Sequence, residues 1–288
     1  MNRVKDILTR LSIFIGMLGS IMVLAVVLFI IINGSGQVLS EHGLSVFSPS
    51  EAWRPAADPA HFGLVPAILA SLYVSFLAVF LALILGIPSA LFIKFYLAAR
   101  LEGLILSLMD MVAGIPSVIF GFIGLNVVVY FFTHKLGMAA GQCVLAGGIV
   151  LAIMVLPFII STLVESLSHL SSLYKIPSMS LGLDKETYIY RIILPSIGRS
   201  VLLASIIAFG RALGETMAVM MVIGNSPIFP KLLGRAQTIP SLTALEMGNV
   251  AYGSTHLSAL YLANGVLLLI LIGVLVTASY IGRRIEDD

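Results

Sequence analysis

Long apolar runs separated by short polar stretches dominate this chain. A bilayer core needs about 20 apolar residues in a helix. Six segments meet that length, at roughly 11–33, 65–93, 104–132, 143–166, 199–224 and 257–282. Backbone N–H and C=O groups inside lipid must find partners within their own segment, so these runs predict helices and not open strands. The expected fold class is an all-α membrane protein with six transmembrane helices. Gly86 and Pro88, Gly114 and Pro116, Gly121 and Gly124, and Pro157 fall inside the runs and are expected to interrupt them. Such breaks survive where neighbouring helices or a water-lined cavity satisfy the freed groups.

Orientation follows from lysine and arginine in the connections. With the N-terminus inside, one side holds Arg3, Lys5, Arg10, Lys94, Arg100, Lys175, Lys185, Arg191, Arg199, Arg283 and Arg284. The other side holds Arg54, Lys135, Lys231 and Arg235. Both termini are therefore expected in the cytoplasm. The acidic residues Glu286, Asp287 and Asp288 count little in this rule. Two outer connections are long, about 34–64 and 225–256, and so is one inner connection, about 167–198. The first run follows basic residues as in a signal peptide, but it exceeds 20 residues and ends in NGSGQ. A retained anchor is expected. The expected organisation is an anchor helix and first outer loop over 1–64, then a five-helix core over 65–288 that carries the inner loop.

Composition agrees. Of 288 residues, 59% are hydrophobic and 10% charged, more apolar surface than a soluble domain hides. The surroundings are membrane lipid. A net charge of +2 gives no reason to expect a nucleic-acid partner. The single cysteine, Cys143, excludes an internal disulfide and reads as a small buried hydrophobe.

Arg211 fits neither side. It and Glu215 stand inside the fifth run, in FGRALGETMAVMMVIGN, residues 209–225. On a continuous helix, residues four apart share a face and reach each other. Arginine first is the weaker order for helix stability, so stability alone does not explain the pair. A charge at the bilayer centre costs roughly 2.5–3.5 kcal/mol on insertion scales. Pairing lowers that cost without removing it. One reading is an ion pair that fixes packing; the other is a polar station on a transport path. In the second, the guanidinium fork suits an oxyanion, while Glu215 holds the fork and moderates its grip. Gly210 and Gly214, spaced as GxxxG, are expected to admit a second helix beside the pair.

Weaker signals lie elsewhere. Asp110 stands near the inner end of the third run, Gly114 and Pro116 predict a kink there, and Ser117 is placed to bond a freed carbonyl. A lining role and a packing kink both fit. Glu165 reads as interfacial, and Trp53 as an interfacial anchor in the first outer loop. His42, His61, His134, His169 and His256 show no ligand spacing, so no metal site is expected. No serine–histidine–acid set is suggested. No GxxxxGK[ST] run occurs, so the chain is not expected to hydrolyse ATP itself.

The inner loop reads SHLSSLYKIPSMSLGLDKETYIYRIILPSIGRS, residues 168–200. It predicts a short helix around 172–181, a glycine stop at Gly182, and a partly amphipathic piece that re-enters the membrane at Pro195. A protruding helical pair suits a cytosolic partner; a solvated linker is the plainer reading.

Gly182, nine residues, then Ile192-x-Leu194-Pro195 resembles the second half of the EAA loop of bacterial ABC-importer permeases. The first half departs from that pattern: Ile176, Pro177 and Ser178 replace glutamate–alanine–alanine. The glutamate of the usual salt bridge to the ATPase is absent. Docking is then left to shape and to Lys175, Asp184, Lys185 and Glu186. GRALGETMAVMMVIGN, AGIPSVIFGFIGL (113–125), and Trp53 and Pro55 with FGLVPAILASLYVS narrow the resemblance, from residue 50 onward. They look like the C-type permease of phosphate-specific (Pst) importers, within the binding-protein-dependent inner-membrane component family.

The resemblance implies a type I ABC-importer permease in the bacterial inner membrane. The family ties the residues matching Arg211 and Glu215 to phosphate passage. It implies a second, A-type permease, two ATP-binding subunits that hold ATP and magnesium, and an extracytoplasmic phosphate-binding protein. No cofactor is implied in this chain. Sulfate, molybdate or tungstate remain alternatives, since one arginine does not select among oxyanions. An ATP-independent transporter and a membrane scaffold are further alternatives. The EAA-like loop, and the lack of an evident inverted repeat, argue against the transporter.

Overall fold

The computed structural model describes residues 2–286, with side chains from 10 to 282. The side chains of Arg3, Lys5, Arg283 and Arg284 and the acidic terminus lie outside the described side chains. Contacts divide the chain into two units. One takes the chain up to Leu64 together with Glu246–Leu268; the other takes Val65–Leu245 and the chain from Leu269 on.

The first unit opens with α1 (Asn2–Gly34) and α2 (Gly36–His42). None of the most apolar stretch of α1 is buried within the protein, as expected of a helix whose solvent is lipid. The outer loop then folds on a two-residue ribbon, β1 (Trp53–Arg54) against β2 (His61–Phe62). Trp53 is not the interfacial anchor expected. It is 4% exposed, meets Phe62 and His256 edge-on, and donates from Nε1 to Glu246 at 2.8 Å. The hydrogen-bonded indole centres a small aromatic core, the usual state of a buried tryptophan.

The second unit contains α3 (Val65–Tyr96), α4 (Ala99–Ala113), α5 (Ser117–Ile123), α6 (Tyr130–His134) and α7 (Val144–Ser180). It continues with α8 (Lys185–Tyr188), α9 (Leu194–Ser196), α10 (Gly198–Leu213), α11 (Met217–Val222) and α12 (Ile239–Glu246). Helix α13 (Thr255–Glu286) supplies the end of the chain. Residues Gly124–Val129 and Ile189–Ile193 are wider π turns that carry α5 into α6 and α8 into α9.

The centre of this unit is α3 on α7. Helix α3 buries Ala70, Val74, Ala78, Ala82, Gly86 and Ala90 along its length. This four-residue stripe of mostly small side chains lets a second backbone approach. A Cβ on Gly147 would lie 3.1 Å from Val74, and one on Gly86 would lie 2.9 Å from Ile159. From Val74 to Gly86 is 12 residues, as from Gly147 to Ile159, so the two helices run parallel. The predicted second and fourth spans thus cross in the same direction, with the third returning between them.

Among the described residues, five helices are long and apolar enough to cross a membrane, and the bent pair Lys185–Ser196 and Gly198–Leu213 makes up to six. The elements follow the sequence expectation in some places and depart from it in others. Helices α3 and α7 run unbroken through Pro88 and Pro157, because packed neighbours hold the chain on both sides. The third run breaks where expected, at Gly114–Pro116, into α4 and a separate span, Ser117–His134. The fourth helix does not end near 166 but extends to Ser180. At 37 residues it is about 55 Å long, against about 30 Å of hydrocarbon, so its last turns stand clear of the membrane. The second outer loop also differs: α12 buries Ile239, Pro240, Ser241 and Leu242, and Ile239 donates its amide to Ser71 of α3 at 2.9 Å.

Candidate functional site

Helix α10 ends at Leu213, about three turns short of where the sequence carries it. Gly214 caps it at φ −82°, and Glu215 and Thr216 pass before α11 starts. The continuous helix expected over 199–224 is therefore absent, and with it the face that was to join Arg211 to Glu215. Among the described residues no ion pair links them. Glu215 instead accepts the backbone N–H of Ala218 at 3.2 Å. Its carboxylate satisfies an orphan amide of α11 and sits at the positive end of that helix. Glycine weakens the helix at this point, and the cap stabilises the new start.

Arg211 remains in the last turn of α10, exposed, as are Ile207 and Gly214 at helical spacing. Its guanidinium has no hydrogen-bond or ion-pair partner among the described residues. A bare cation toward lipid is strongly unfavourable. This face of α10 therefore belongs against a second protein chain or a water-filled passage.

The two glycines beside the pair behave differently. A Cβ on Gly210 would meet Val274 of α13 at 3.4 Å, whereas one on Gly214 would meet only the carbonyls of its own turn. Gly214 is the helix stop and not a helix contact. The tight approach occurs across the break. A Cβ on Gly121 of α5 would lie 3.0 Å from the Ala218 backbone and 2.8 Å from Met221. Ser117 lies one turn before Gly121 and is half-buried. It forms no hydrogen bond to a freed carbonyl among the described residues. Asp110 is exposed on α4 and meets neither Arg211 nor Glu215.

Toward the cytoplasmic end, a cavity of about 840 Å³ opens between α7, α9 and α10. Glu165, His169, Arg199, Ser196 and Ser200 line it. Ser200 and Arg211 lie on one helix, about 16 Å apart along its axis. Sequence reading missed this grouping because Glu165 and Arg199 each look interfacial; only their convergence from separate elements makes a polar vestibule.

The inner loop forms a firm hairpin. Gly182 takes φ +72°, the left-handed conformation that favours glycine. Its N–H reaches Met179 O at 3.0 Å, and that of Leu183 reaches Ser178 O at 3.2 Å, which closes α7 in a Schellman turn. Asp184 then caps α8, accepting the Thr187 amide at 3.1 Å. The Thr187 hydroxyl, and next its amide, hold the Asp184 carboxyl below the usual carboxylate range. Lys185 lies over the Tyr96 ring, Glu186 is exposed on α8, and Lys175 is exposed on α7. Leu194 and Pro195 sit just before the 52° bend into α10. At the tip, Ile176, Met179 and Leu181 are 74%, 65% and 78% exposed. Apolar side chains grouped this way outside lipid mark an interaction surface.

The family described as "Binding-protein-dependent transport system inner membrane component" matches residues 82–285. YqgH of Bacillus subtilis strain 168, a probable ABC transporter permease protein, is 31% identical over 239 residues, 83% of this chain and 77% of that protein. A probable phosphate transport system permease protein PstC of Methanocaldococcus jannaschii is 32% identical over 283 residues, 90% of this chain and 89% of that protein. An inward-facing structure of the MetNI methionine ABC transporter superposes with a TM-score of 0.58. That likeness covers 77% of this chain and 95% of that one at 16% identity, and bears on the fold alone.

Proposed function

The chain belongs to the binding-protein-dependent transport system inner membrane component family, and from that membership we propose that it carries phosphate. It is a multi-pass ABC-importer permease subunit. In the proposed reading it forms half of an anion path, and a second, A-type permease covers the exposed face of α10. An extracytoplasmic binding protein delivers phosphate to the outer loops. Two ATP-binding subunits, holding ATP and magnesium, dock on the inner hairpin and drive the change of access.

The observation that carries this reading is Arg211, a cation without a partner among the described residues, on the open face of a membrane helix. Its planar fork of donors matches two oxygens of a phosphate. Glu215, one turn on and committed to the α11 cap, keeps a negative charge beside the path, which favours release. Asp110 and Ser117 are proposed to line the same route. The PstC relative supports phosphate over sulfate, molybdate or tungstate. The apolar tip supports ATPase docking through Ile176, Met179 and Leu181, with Lys175, Asp184, Lys185 and Glu186 around it.

A tagged pull-down from mild-detergent membranes tests the assembly, with mass spectrometry of what is recovered. The expected result is an ATPase and a second permease. A chain that purifies alone, under conditions that keep a known ABC complex intact, overturns the importer reading.

A further inference from the structure

The outer connections of the second unit carry charge of one sign. Residues 135–143 and 224–245 hold Lys135, Lys231 and Arg235 and no carboxylate. All three cations are exposed, and none forms an ion pair among the described residues. Beside Lys231 and Arg235, the side chains of Ile228, Phe229, Leu232 and Leu233 are exposed as well. The backbone beneath this surface is firmly held. Val144 donates its amide to Gly234 O at 3.0 Å, and Leu145 to Leu232 O at 2.9 Å. The loop carbonyls thus satisfy orphan N–H groups in the first turn of α7. Cys143 donates to Val222 O at 3.2 Å, and Ser226 to Ala236 O at 3.2 Å. Gln142 ties the two connections together, from Nε2 to Met221 O at 3.2 Å. A surface already fixed in place loses little freedom on binding.

Two exposed cations keep the loop out of hydrocarbon. A segment that lies in the lipid interface sets its cations and its apolar residues on opposite faces of a helix. Here they alternate along a non-helical loop, residues 226–235. A free anion fits the cations but gains nothing from the apolar side chains. Apolar side chains with a charged rim, on an ordered surface, fit a protein. The family's own description makes transport depend on a binding protein, and the loop charges put this surface on the outer side, where that protein acts. Cations without a neighbouring acid select an acidic face on the partner. We propose that Ile228, Phe229 and Leu233, rimmed by Lys231 and Arg235, dock an acidic face of the extracytoplasmic binding protein. This inference rests on the importer reading and adds to it the surface used and its chemistry.

Photocrosslinking in cells that hold the whole assembly tests it. A benzophenone crosslinker replaces Phe229, and its adducts are identified by mass spectrometry. An adduct with the binding protein is expected. The double variant Lys231→Glu, Arg235→Glu should weaken the affinity of the binding protein for the purified complex about tenfold at low salt. High salt should remove most of that difference, which a misfolded loop would not do. Lys231→Gln, Arg235→Gln should fall between wild type and the reversed variant, and keeps the test informative if charge reversal is unstable. An adduct only with lipid or with the second permease overturns the proposal, as does undiminished affinity in both variants. Recovery of the ATPase and second permease with no binding-protein adduct sinks this inference alone and leaves the importer reading standing. A chain recovered without any partner sinks both.

Discussion

Arg211 and Glu215 were legible in the sequence as costly charges within an apolar run, but not their geometry. Helical spacing joins them only if the helix continues, and Gly214 stops it. The competing effect is local. A carboxylate three residues before an orphan amide gains more by capping than by reaching back to arginine. Glu215→Ala should therefore destabilise the protein by about 1 kcal/mol. Glu215→Gln keeps an acceptor for Ala218 and should melt close to wild type. Equal losses in both would mean that the charge, and not the cap, stabilises this region. Gly121 offers a sharper test. Gly121→Ala drives a methyl onto the Ala218 backbone and should cost about 1–3 kcal/mol, read as a lower melting temperature. The sequence marked Gly121 only as a helix interruption, because which backbone faces a glycine is a tertiary fact.

Among the elements, the inner hairpin was the most legible. The stop at Gly182 follows from backbone chemistry that needs no neighbours, and the chain bends by 52° shortly after Pro195. The helices through Pro88 and Pro157 were not legible, since packing between α3 and α7 overrides local propensity there. Gly182→Ala meets no neighbouring atom, so its whole cost, about 1–2 kcal/mol, is that of a left-handed alanine. It should lower both the melting temperature and the recovery of the ATPase. The Asp184 cap adds a pH dependence. Because its folded pKa is lowered, its contribution is present above the ordinary carboxylate range. That contribution is lost as pH falls through the depressed value. A spin label at Glu186→Cys should gain mobility on acidification. Asp184→Asn, which caps without titrating, should abolish that change. Acid-induced mobility that persists in the asparagine variant would place its origin elsewhere.

At the scale of the molecule, the apolar runs gave the membrane class and near-correct spans, because the bilayer leaves the backbone few choices. They did not give the vestibule of Glu165, His169 and Arg199, which needs α7 and α10 brought together. The open face of α10 and the apolar hairpin tip have a common meaning: this chain is one part of a larger assembly. In the proposed reading, phosphate passes at Arg211. The direct measurement is uptake of labelled phosphate by cells that lack other phosphate importers and express this chain with its partner subunits. Wild type, Arg211→Lys and Arg211→Ala are compared at matched membrane levels. Losing a charged hydrogen-bond donor at the path should slow uptake about ten- to a hundredfold in Arg211→Ala, with Arg211→Lys in between. Uptake at the wild-type rate by Arg211→Ala would contradict the account.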